Sequence, residues 1–254
     1  MDKINMLGVP IDFVDMEDAC ERARMFAVGD RFRYIFTPNP EIIMLAQEDE
    51  EFKRVLISAD MLVPDGIGVV WASWFYGKKL PERVPGFDIM ADLIAWGASH
   101  GWKFYLLGGQ PGVVDRAKMN LEKVYPNINV VGTHHGYFDE NKEEEIIAHI
   151  NLCSPNIILV GMGAPLQEKW IFKNRMRLNA RVGIGVGGAL DILAGKTKRA
   201  PAIFARFGLE WLYRLMKEPS RIKRMMVIPV FFIKVILSTK MKGFDINNTI
   251  KKKK

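Results

Sequence analysis

The sequence predicts an α/β protein with a Rossmann-like, mostly parallel sheet, helices on both faces and a basic helical C-terminal appendage. Through residues 1–195, short apolar runs alternate with helical patterns, which is the βαβ rhythm of a parallel sheet. Several of these runs end in Gly-rich turns that open a helix. From residue 196 onward the strand-like pattern stops and basic residues accumulate.

The first half of the chain holds the less regular elements. Two short apolar segments around Gly8 and Pro10 predict a small β-hairpin. MEDACERARMFA then predicts a helix, RYIFT a strand, and PEIIMLAQEDEEFKRVLISA one continuous helix with Pro40 near its first position. MLVPDG predicts a short strand. Helices are expected over about residues 67–75 and over PGFDIMADLIAWGASHG, the second ended by Gly101.

The second half of the chain contains more regular βα units. KFYLLGGQPGVVDRAKMNLEKVYP and NIILVGMGAPLQEKWIFKNR each predict a strand, a Gly-rich turn and a helix. Between them, NVVGTHHGYF predicts a strand and loop, and EEEIIAHINLCSP a helix. ARVGIGVGGALDILAG predicts a last strand entering a Gly-rich turn. Ligands of open α/β sheets bind where strands end and helices begin, so the site is expected at these turns.

Charge divides the chain into two regions. The net charge is +7, yet residues 196–254 carry sixteen basic and three acidic residues, while residues 1–195 carry twenty and twenty-six. An acidic body with a basic appendage predicts an anionic partner for the appendage. The two cysteines, Cys20 and Cys153, lie far apart and suggest neither a disulfide framework nor a cysteine metal site.

We expect a catalytic domain over residues 1–195 and a membrane-associating appendage of amphipathic helices over residues 196–254, with the terminal lysines 251–254 disordered. Prolines are expected to separate the short helices of the appendage, at Pro201, Pro219 and Pro229. We expect no signal peptide, because the N-terminus MDKINMLGVPIDFVD has no long apolar region behind a basic start. We expect no membrane-spanning helix, because no apolar run reaches about 18 residues. MMVIPVFFIKVIL instead suits a helix that lies at the lipid headgroup boundary.

Short polar side chains occupy two of the predicted strand ends. Thr37 and Asn39 lie on a strand-to-helix turn that Pro38 and Pro40 make rigid. They either cap the next helix or form one wall of a ligand site. Asp65, in VPDG, is either a turn aspartate or a general base that takes a proton from a substrate hydroxyl.

Three Gly-rich turns favour a nucleotide or diphosphate site over turns that are merely tight. N–H groups at helix N-termini bind phosphate, although none of the turns has the strict GxGxxG or P-loop pattern. The expected phosphate-binding residues are Gly108, Gly109, Gly163, Gly187 and Gly188. Gln167 could reach into the cleft, whereas Glu168 most simply interacts with the helix dipole. No metal-binding motif is recognised.

Nine segments occur in one order: TPNPEIIMLAQ, VPDGIGVVWAS, ERVPGFDIM, YLLGGQPGV, GTHHGYF, VGMGAPLQEKWI, GVGGALDILAG, KRAP and GLEWLYRLMKEPSR. Together they resemble the WecG/TagA/CpsF glycosyltransferase family, and within it the TagA-type N-acetylmannosaminyltransferases of wall teichoic acid synthesis. The resemblance extends to about Leu237. It implies an inverting, metal-independent and cofactor-free transfer of N-acetylmannosamine from its UDP donor to undecaprenyl-diphosphate-linked N-acetylglucosamine. The product has a β1,4 linkage and forms at the cytoplasmic membrane face.

The resemblance also implies residue roles. Asp65 is the catalytic base, and the sugar pocket includes Thr37, Asn39 and Gln167. The appendage closes over the active site, and its candidate diphosphate ligands are Arg214, Arg221 and Arg224. One departure is Ala189-Leu190, where the family pattern has an aromatic residue before the aspartate, which bears on pocket packing and on the donor.

Several alternatives stay open. The donor could carry another sugar, such as N-acetylmannosaminuronic acid. A nicotinamide-dependent oxidoreductase would need a truer GxGxxG and an acidic residue about 20 positions later, where Glu122 is too early. A non-enzymatic adaptor would bind membrane rather than nucleic acid, since bulky apolar residues lie between the basic ones. The oligomeric state stays open too, with a homo-oligomer among the alternatives.

Overall fold

The computed structural model describes residues 2–201, 203–204, 208–217 and 222–251. Strands β1 (Lys3–Met6) and β2 (Val9–Asp12) form an antiparallel hairpin. The other six are β3 (Arg33–Phe36), β4 (Met61–Leu62), β5 (Lys103–Gly108), β6 (Asn129–His134), β7 (Ile157–Gly161) and β8 (Val182–Gly185). They form one parallel sheet in the order β4-β3-β8-β7-β5-β6.

Helices cover this sheet and continue into the C-terminal segment. Those of the body are α1 (Met16–Ala27), α2 (Pro40–Leu45), α3 (Glu50–Ile57), α4 (Ile67–Ser73), α5 (Gly86–Ser99), α6 (Val113–Val124), α7 (Glu140–Cys153), α8 (Leu166–Asn174) and α9 (Ala189–Leu193). A 3₁₀ turn over Trp74–Tyr76 follows α4. The C-terminal segment contains α10 (Glu210–Lys217), α11 (Ile222–Met225) and α12 (Val227–Lys251).

The sheet is buried on both faces, which explains why its strands are continuous apolar runs. Along β5, Phe104 and Leu106 contribute to a core shared with α1, α5, α6 and α9. Tyr105 and Leu107 contribute to the opposite core, shared with the hairpin, α2, α3, α7 and α8. The α/β fold with helices on both faces, predicted from the sequence, is therefore confirmed.

The helices that follow neighbouring strands alternate between the two cores. In the order β3, β8, β7, β5, the next helices are α2, α9, α8 and α6. Of these, α2 and α8 contribute to the core that contains Tyr105 and Leu107, whereas α9 and α6 contribute to the opposite core. Such alternation opens a crevice at the carboxyl edge of a parallel sheet, where ligands bind.

Two local expectations were wrong. The helix expected from Pro40 to residue 59 is broken into α2 and α3, because the Asp49 side chain caps α3 by accepting the Phe52 N–H at 2.9 Å. The hairpin turns at Leu7-Gly8, with positive φ at both residues, rather than at Gly8–Pro10.

The last helix also differs from expectation, because α12 runs through Pro229. A proline is tolerated there because first-turn N–H groups have no partner within a helix. Phe231 and Val235 on α12 are fully buried in the core that contains α2. Lys251 ends this helix, and residues 252–254 lie outside the described part. Within the described residues, no helix combines the length and apolarity needed to cross a membrane.

Candidate active site

The turns after β3 and β4 bring Thr37, Asn39 and Asp65 to one corner of the crevice. The Asp65 N–H donates to the Pro38 carbonyl at 3.2 Å, which joins the two turns directly. The next residue, Gly66, has a φ of +97°. A Cβ there would lie 3.8 Å from the Asn39 Cβ, so the two loops are in contact. Three polar side chains from two strand ends therefore converge.

Asn39 caps α2. Its Oδ1 accepts the Ile42 N–H at 2.9 Å, and Pro40 occupies the first turn. The capping interpretation of the Pro-Asn-Pro step therefore accounts for the side-chain oxygen of Asn39. Capping does not use the side-chain NH₂ group, which is the part that could donate to a sugar.

A third turn, in VPGFD, closes this corner, and sequence reasoning gave it no role. The Val84 N–H donates to the Pro64 carbonyl at 2.9 Å. A Cβ on Gly86 would lie 2.9 Å from both Oγ1 and Cγ2 of Thr37, so only glycine lets this loop approach so closely. The motif stood among the nine segments of the family resemblance, and that was its only signal.

The Gly-rich turns after β5, β6 and β7 pack on one another through their backbones. The N–H of Gly109 donates to the Gly161 carbonyl, and that of Gly136 to the Gly109 carbonyl, each at 2.9 Å. Gly108 has a φ of +138°, and a Cβ there would lie 2.4 Å from the Gly161 oxygen. These glycines are required for contact between the turns.

Gln167 joins the turns after β7 and β8. Its Oε1 accepts the N–H of Gly163 at 3.2 Å and that of Gly187 at 2.9 Å, while its Nε2 donates to Glu168 at 2.7 Å. The side chain is only 5% exposed. Its sugar contact stays a prediction, since here its polar atoms hold the protein together.

Four of the five expected phosphate-binding glycines fall into two groups by the partners of their N–H groups. The N–H groups of Gly109, Gly163 and Gly187 have protein acceptors. For the Gly188 N–H, at the start of α9, no partner is found among the described residues. Phosphate binding by these five glycines stays a prediction.

Glu168 lies in the first turn of α8, where the sequence suggested an interaction with the helix dipole, but its side chain is buried. It is 1% exposed, and its Oε2 has no hydrogen-bond partner among the described residues. Burial raises the pKa of this carboxyl from 4.5 to about 7, and the hydrogen bond from Gln167 opposes only part of that effect. The reason is position, since Glu168 lies against the end of β8 at Gly185.

Lys196 places a cation between the turn after β5 and helix α9, a role that the sequence did not indicate. Its Nζ donates to Gln110 Oε1 at 2.8 Å, in the turn after β5. The same atom lies 3.2 Å from Asp191 Oδ1, on α9. Its position at the expected boundary between body and appendage hid this role.

The C-terminal segment packs beside the corner that holds Asp65. Arg83 forms an ion pair with Glu210 at 3.1 Å, and Arg199 forms one with Asp88 at 2.6 Å. Gly208, with a φ of +69°, approaches Ile67 so closely that a Cβ there would lie 2.6 Å from the Ile67 Cβ.

The three appendage arginines expected to hold a diphosphate are not placed at side-chain level. Arg214 and Arg224 lie on α10 and α11, where their side chains are not described, and Arg221 lies outside the described residues. Among the residues that the structure does describe, no group of three or more His, Cys, Asp or Glu side chains could hold a metal ion.

Comparison with known proteins places this geometry in a family. The family model described as "Glycosyl transferase WecG/TagA/CpsF family" matches residues 4–244. The chain is 36% identical over 235 residues to the N-acetylglucosaminyldiphosphoundecaprenol N-acetyl-beta-D-mannosaminyltransferase of Staphylococcus aureus strain MW2, covering 92% of each chain. The enzymes of the same name from strains NCTC 8325 and MRSA252 match to the same extent. The chain therefore belongs to the WecG/TagA/CpsF family of glycosyltransferases.

Proposed function

We propose that the protein transfers N-acetylmannosamine from UDP-N-acetylmannosamine to undecaprenyl-diphosphate-linked N-acetylglucosamine. The transfer inverts the configuration at the anomeric carbon of the donor sugar and forms a β1,4 linkage. The names of its relatives support the acceptor and the transferred sugar. The observation that carries the proposal is the convergence of Thr37, Asn39 and Asp65 on turns that the Asp65–Pro38 hydrogen bond joins. Wall teichoic acid synthesis is the pathway that the family resemblance implies.

Asp65 is proposed as the general base. A sugar hydroxyl is a poor nucleophile, and a carboxylate that removes its proton as the new bond forms accelerates such reactions by about 10²–10⁴-fold. Asp65 is half-buried at the mouth of the crevice, on a loop fixed by two backbone hydrogen bonds, Asp65 N–H to Pro38 and Val84 N–H to Pro64. Thr37 and the amide of Asn39 would then orient the sugar.

The departing UDP gains negative charge, which the protein must stabilise. Preorganised N–H donors and cations supply such stabilisation in enzymes. The Gly188 N–H and the Lys196 ammonium are positioned at the turns to contribute. Arginines Arg214, Arg221 and Arg224 would grip the diphosphate oxygens in pairs from the appendage. The proposal includes independence of a divalent metal.

The reaction is tested by UDP release. Purified full-length protein is mixed with UDP-N-acetylmannosamine, a short-chain lipid-diphosphate N-acetylglucosamine and EDTA. We expect acceptor-dependent release that Asp65→Asn lowers by about 10²–10⁴-fold. Asp60→Asn is the matched control, because the Asp60 carboxylate, at the amino end of β4, accepts the Tyr34 N–H and lies away from the crevice.

Each outcome decides one part of the proposal. Release that needs added Mg²⁺ would show that the reaction depends on a metal. Equal rates for Asp65→Asn and the wild type would show that Asp65 is not the general base. Release only with another UDP-sugar, such as UDP-N-acetylmannosaminuronic acid, would change the donor but keep the reaction class.

The C-terminal segment is proposed to complete the active site. Truncation after Gly195 is expected to abolish activity but is ambiguous, because it also removes Phe231 and Val235 from the core. Gly208→Ala is sharper, since its Cβ would displace the segment from Ile67 beside Asp65. Gly77→Ala is its control, with a similar φ of +71° and no neighbour within 4 Å. We expect turnover to fall about tenfold or more only for Gly208→Ala; equal turnover for both would remove the segment from the mechanism.

The same segment is proposed to hold the enzyme on the cytoplasmic face of the membrane, where a polyprenyl-linked acceptor lies. Opposite the buried Phe231 and Val235, α12 presents an exposed apolar stripe of Val230, Ile233 and Leu237, and Met226 is exposed just before the helix begins. Lys234 and Lys240 are exposed on the same helix. The 3₁₀ turn that packs against α12 adds exposed Trp74 and Phe75. Amphipathic helices of this kind bind at the headgroup boundary of anionic bilayers.

Vesicle co-sedimentation tests this surface. We expect the wild type to bind phosphatidylglycerol vesicles better than phosphatidylcholine vesicles, and the Ile233→Glu, Leu237→Glu double variant to bind at least about tenfold more weakly. Met176→Glu is the control, because Met176 is an exposed apolar side chain on another part of the body. Unchanged binding by the double variant would show that α12 is not the membrane contact.

A further inference from the structure

Gln167 is itself held by a buried carboxyl. Glu168 Oε1 accepts the Gln167 Nε2 at 2.7 Å. On the far side, the end of β8 closes the space, since a Cβ on Gly185 would lie 2.8 Å from Gln167 Nε2 and 3.3 Å from Glu168 Oε1. The carboxyl and the amide therefore form one packed pair beneath the turns after β7 and β8.

The pair fixes which way the Gln167 amide faces. With Nε2 directed to Glu168, Oε1 faces the N–H groups of Gly163 and Gly187. The flipped amide would set its NH₂ group against two N–H donors and its oxygen against a carboxyl oxygen. A side-chain amide adopts the orientation that its hydrogen-bond partners allow. Glu168 thus selects the orientation that draws the two glycine turns together.

The carboxyl has no counter-charge among the described residues. Its Oε2 is buried without a partner among the described residues. A buried carboxylate that lacks a counter-charge is costly, and such groups take up a proton instead. Only the acceptor at Oε1 is used, so glutamine, which has the same shape and the same acceptor, is the natural replacement.

We propose that Glu168 is a positioning residue: through Gln167, its buried carboxyl sets the spacing between the turns after β7 and β8, where the donor diphosphate binds. This inference rests on the proposed function, which places UDP at these turns. Glu168 itself touches no substrate. Its effect is on donor affinity, because the backbone groups that meet the nucleotide must already be in place before it arrives.

The experiment measures the UDP dissociation constant by calorimetry, together with thermal stability, on the full chain. We expect Glu168→Leu, which removes the acceptor, to weaken UDP binding about tenfold, the equivalent of about 1.4 kcal/mol. Glu168→Gln should bind UDP within about twofold of the wild type. Glu143→Gln is the control, since Glu143 is a second buried glutamate whose carboxylate bonds Lys173 and Asn174 on α8. It should lower thermal stability without changing UDP affinity.

Gly185→Ala gives an independent route, because its Cβ presses on the same amide from β8. We expect Gly185→Ala to weaken UDP binding too, and it provides the test if Glu168→Leu does not fold. A folded Glu168→Leu with wild-type UDP affinity would overturn the inference, and so would a Glu168→Gln that binds as weakly as the leucine variant. Failure of the wild type to bind UDP would instead overturn the diphosphate site of the proposed function.

Discussion

The two sides of the crevice are built differently. At the turns after β3 and β4, half-buried side chains of Thr37, Asn39 and Asp65 converge on loops that backbone hydrogen bonds hold in place. At the turns after β7 and β8, glycine backbones meet, and buried Gln167 and Glu168 hold them from below. One side presents functional groups, and the other presents shaped backbone.

A polar residue in the segment that follows a strand can therefore have either of two roles. Asp65 and Glu168 both follow a strand in a family motif, and both are acidic. The first is accessible at the crevice, while the second is 1% exposed. Mutations should therefore affect turnover on the first side, and stability or nucleotide affinity on the second.

The largest expected effect is on stability, from disrupting the contact between the glycine turns. Gly108→Ala places a Cβ 2.4 Å from the Gly161 oxygen at a φ of +138°, and we expect a loss of about 3 kcal/mol or more in unfolding free energy. Gly112→Ala, with a φ of +82° and no neighbour within 4 Å, should lose only about 1 kcal/mol. Urea titration measures both, and equal losses would mean that the turns do not need their close contact.

The next effect is a pH dependence of stability that follows from the burial of Glu168. The pKa of Glu168 is raised from 4.5 to about 7, so between these values the folded state binds more protons than the unfolded state. The contribution of Glu168 to stability is therefore lost as pH rises from 4.5 to 7, by up to roughly 3 kcal/mol. Glu168→Gln removes this titration, so its unfolding free energy should gain on the wild type across that range. Parallel curves for the two proteins would contradict the prediction.

The smallest effect tests the side-chain corner. Asn39→Ser keeps an N-cap oxygen but removes the amide, so we expect nearly unchanged stability and a turnover about tenfold lower. Asp15→Ala is the reverse control, because it removes the cap that accepts the Asp18 N–H of α1, away from the crevice. It should lose about 1 kcal/mol without changing turnover. Full turnover in Asn39→Ser would leave capping as the whole role of Asn39.

Local patterns predicted α1 to the residue, and in the structure the Asp15 side chain caps its first turn. They did not predict the break between α2 and α3, since Asp49 caps from within a run of good helix formers. The burial of Glu168 was not predicted, because it depends on β8, which lies beyond its own helix. The family motifs carried the expected site residues, but the bonds that join Gln167 to two turns are tertiary and leave no local signal.

The buried face of α12 determines how much of the chain belongs to the folding unit. The α/β pattern stops near residue 195, yet Phe231 and Val235 complete the core beside α2. The cooperative unit that folds is therefore longer than the unit that carries the recognisable architecture. Truncation of the chain to the sheet and its helices would expose the apolar surface that Phe231 and Val235 cover. We expect such a truncated protein to aggregate before its catalysis can be measured.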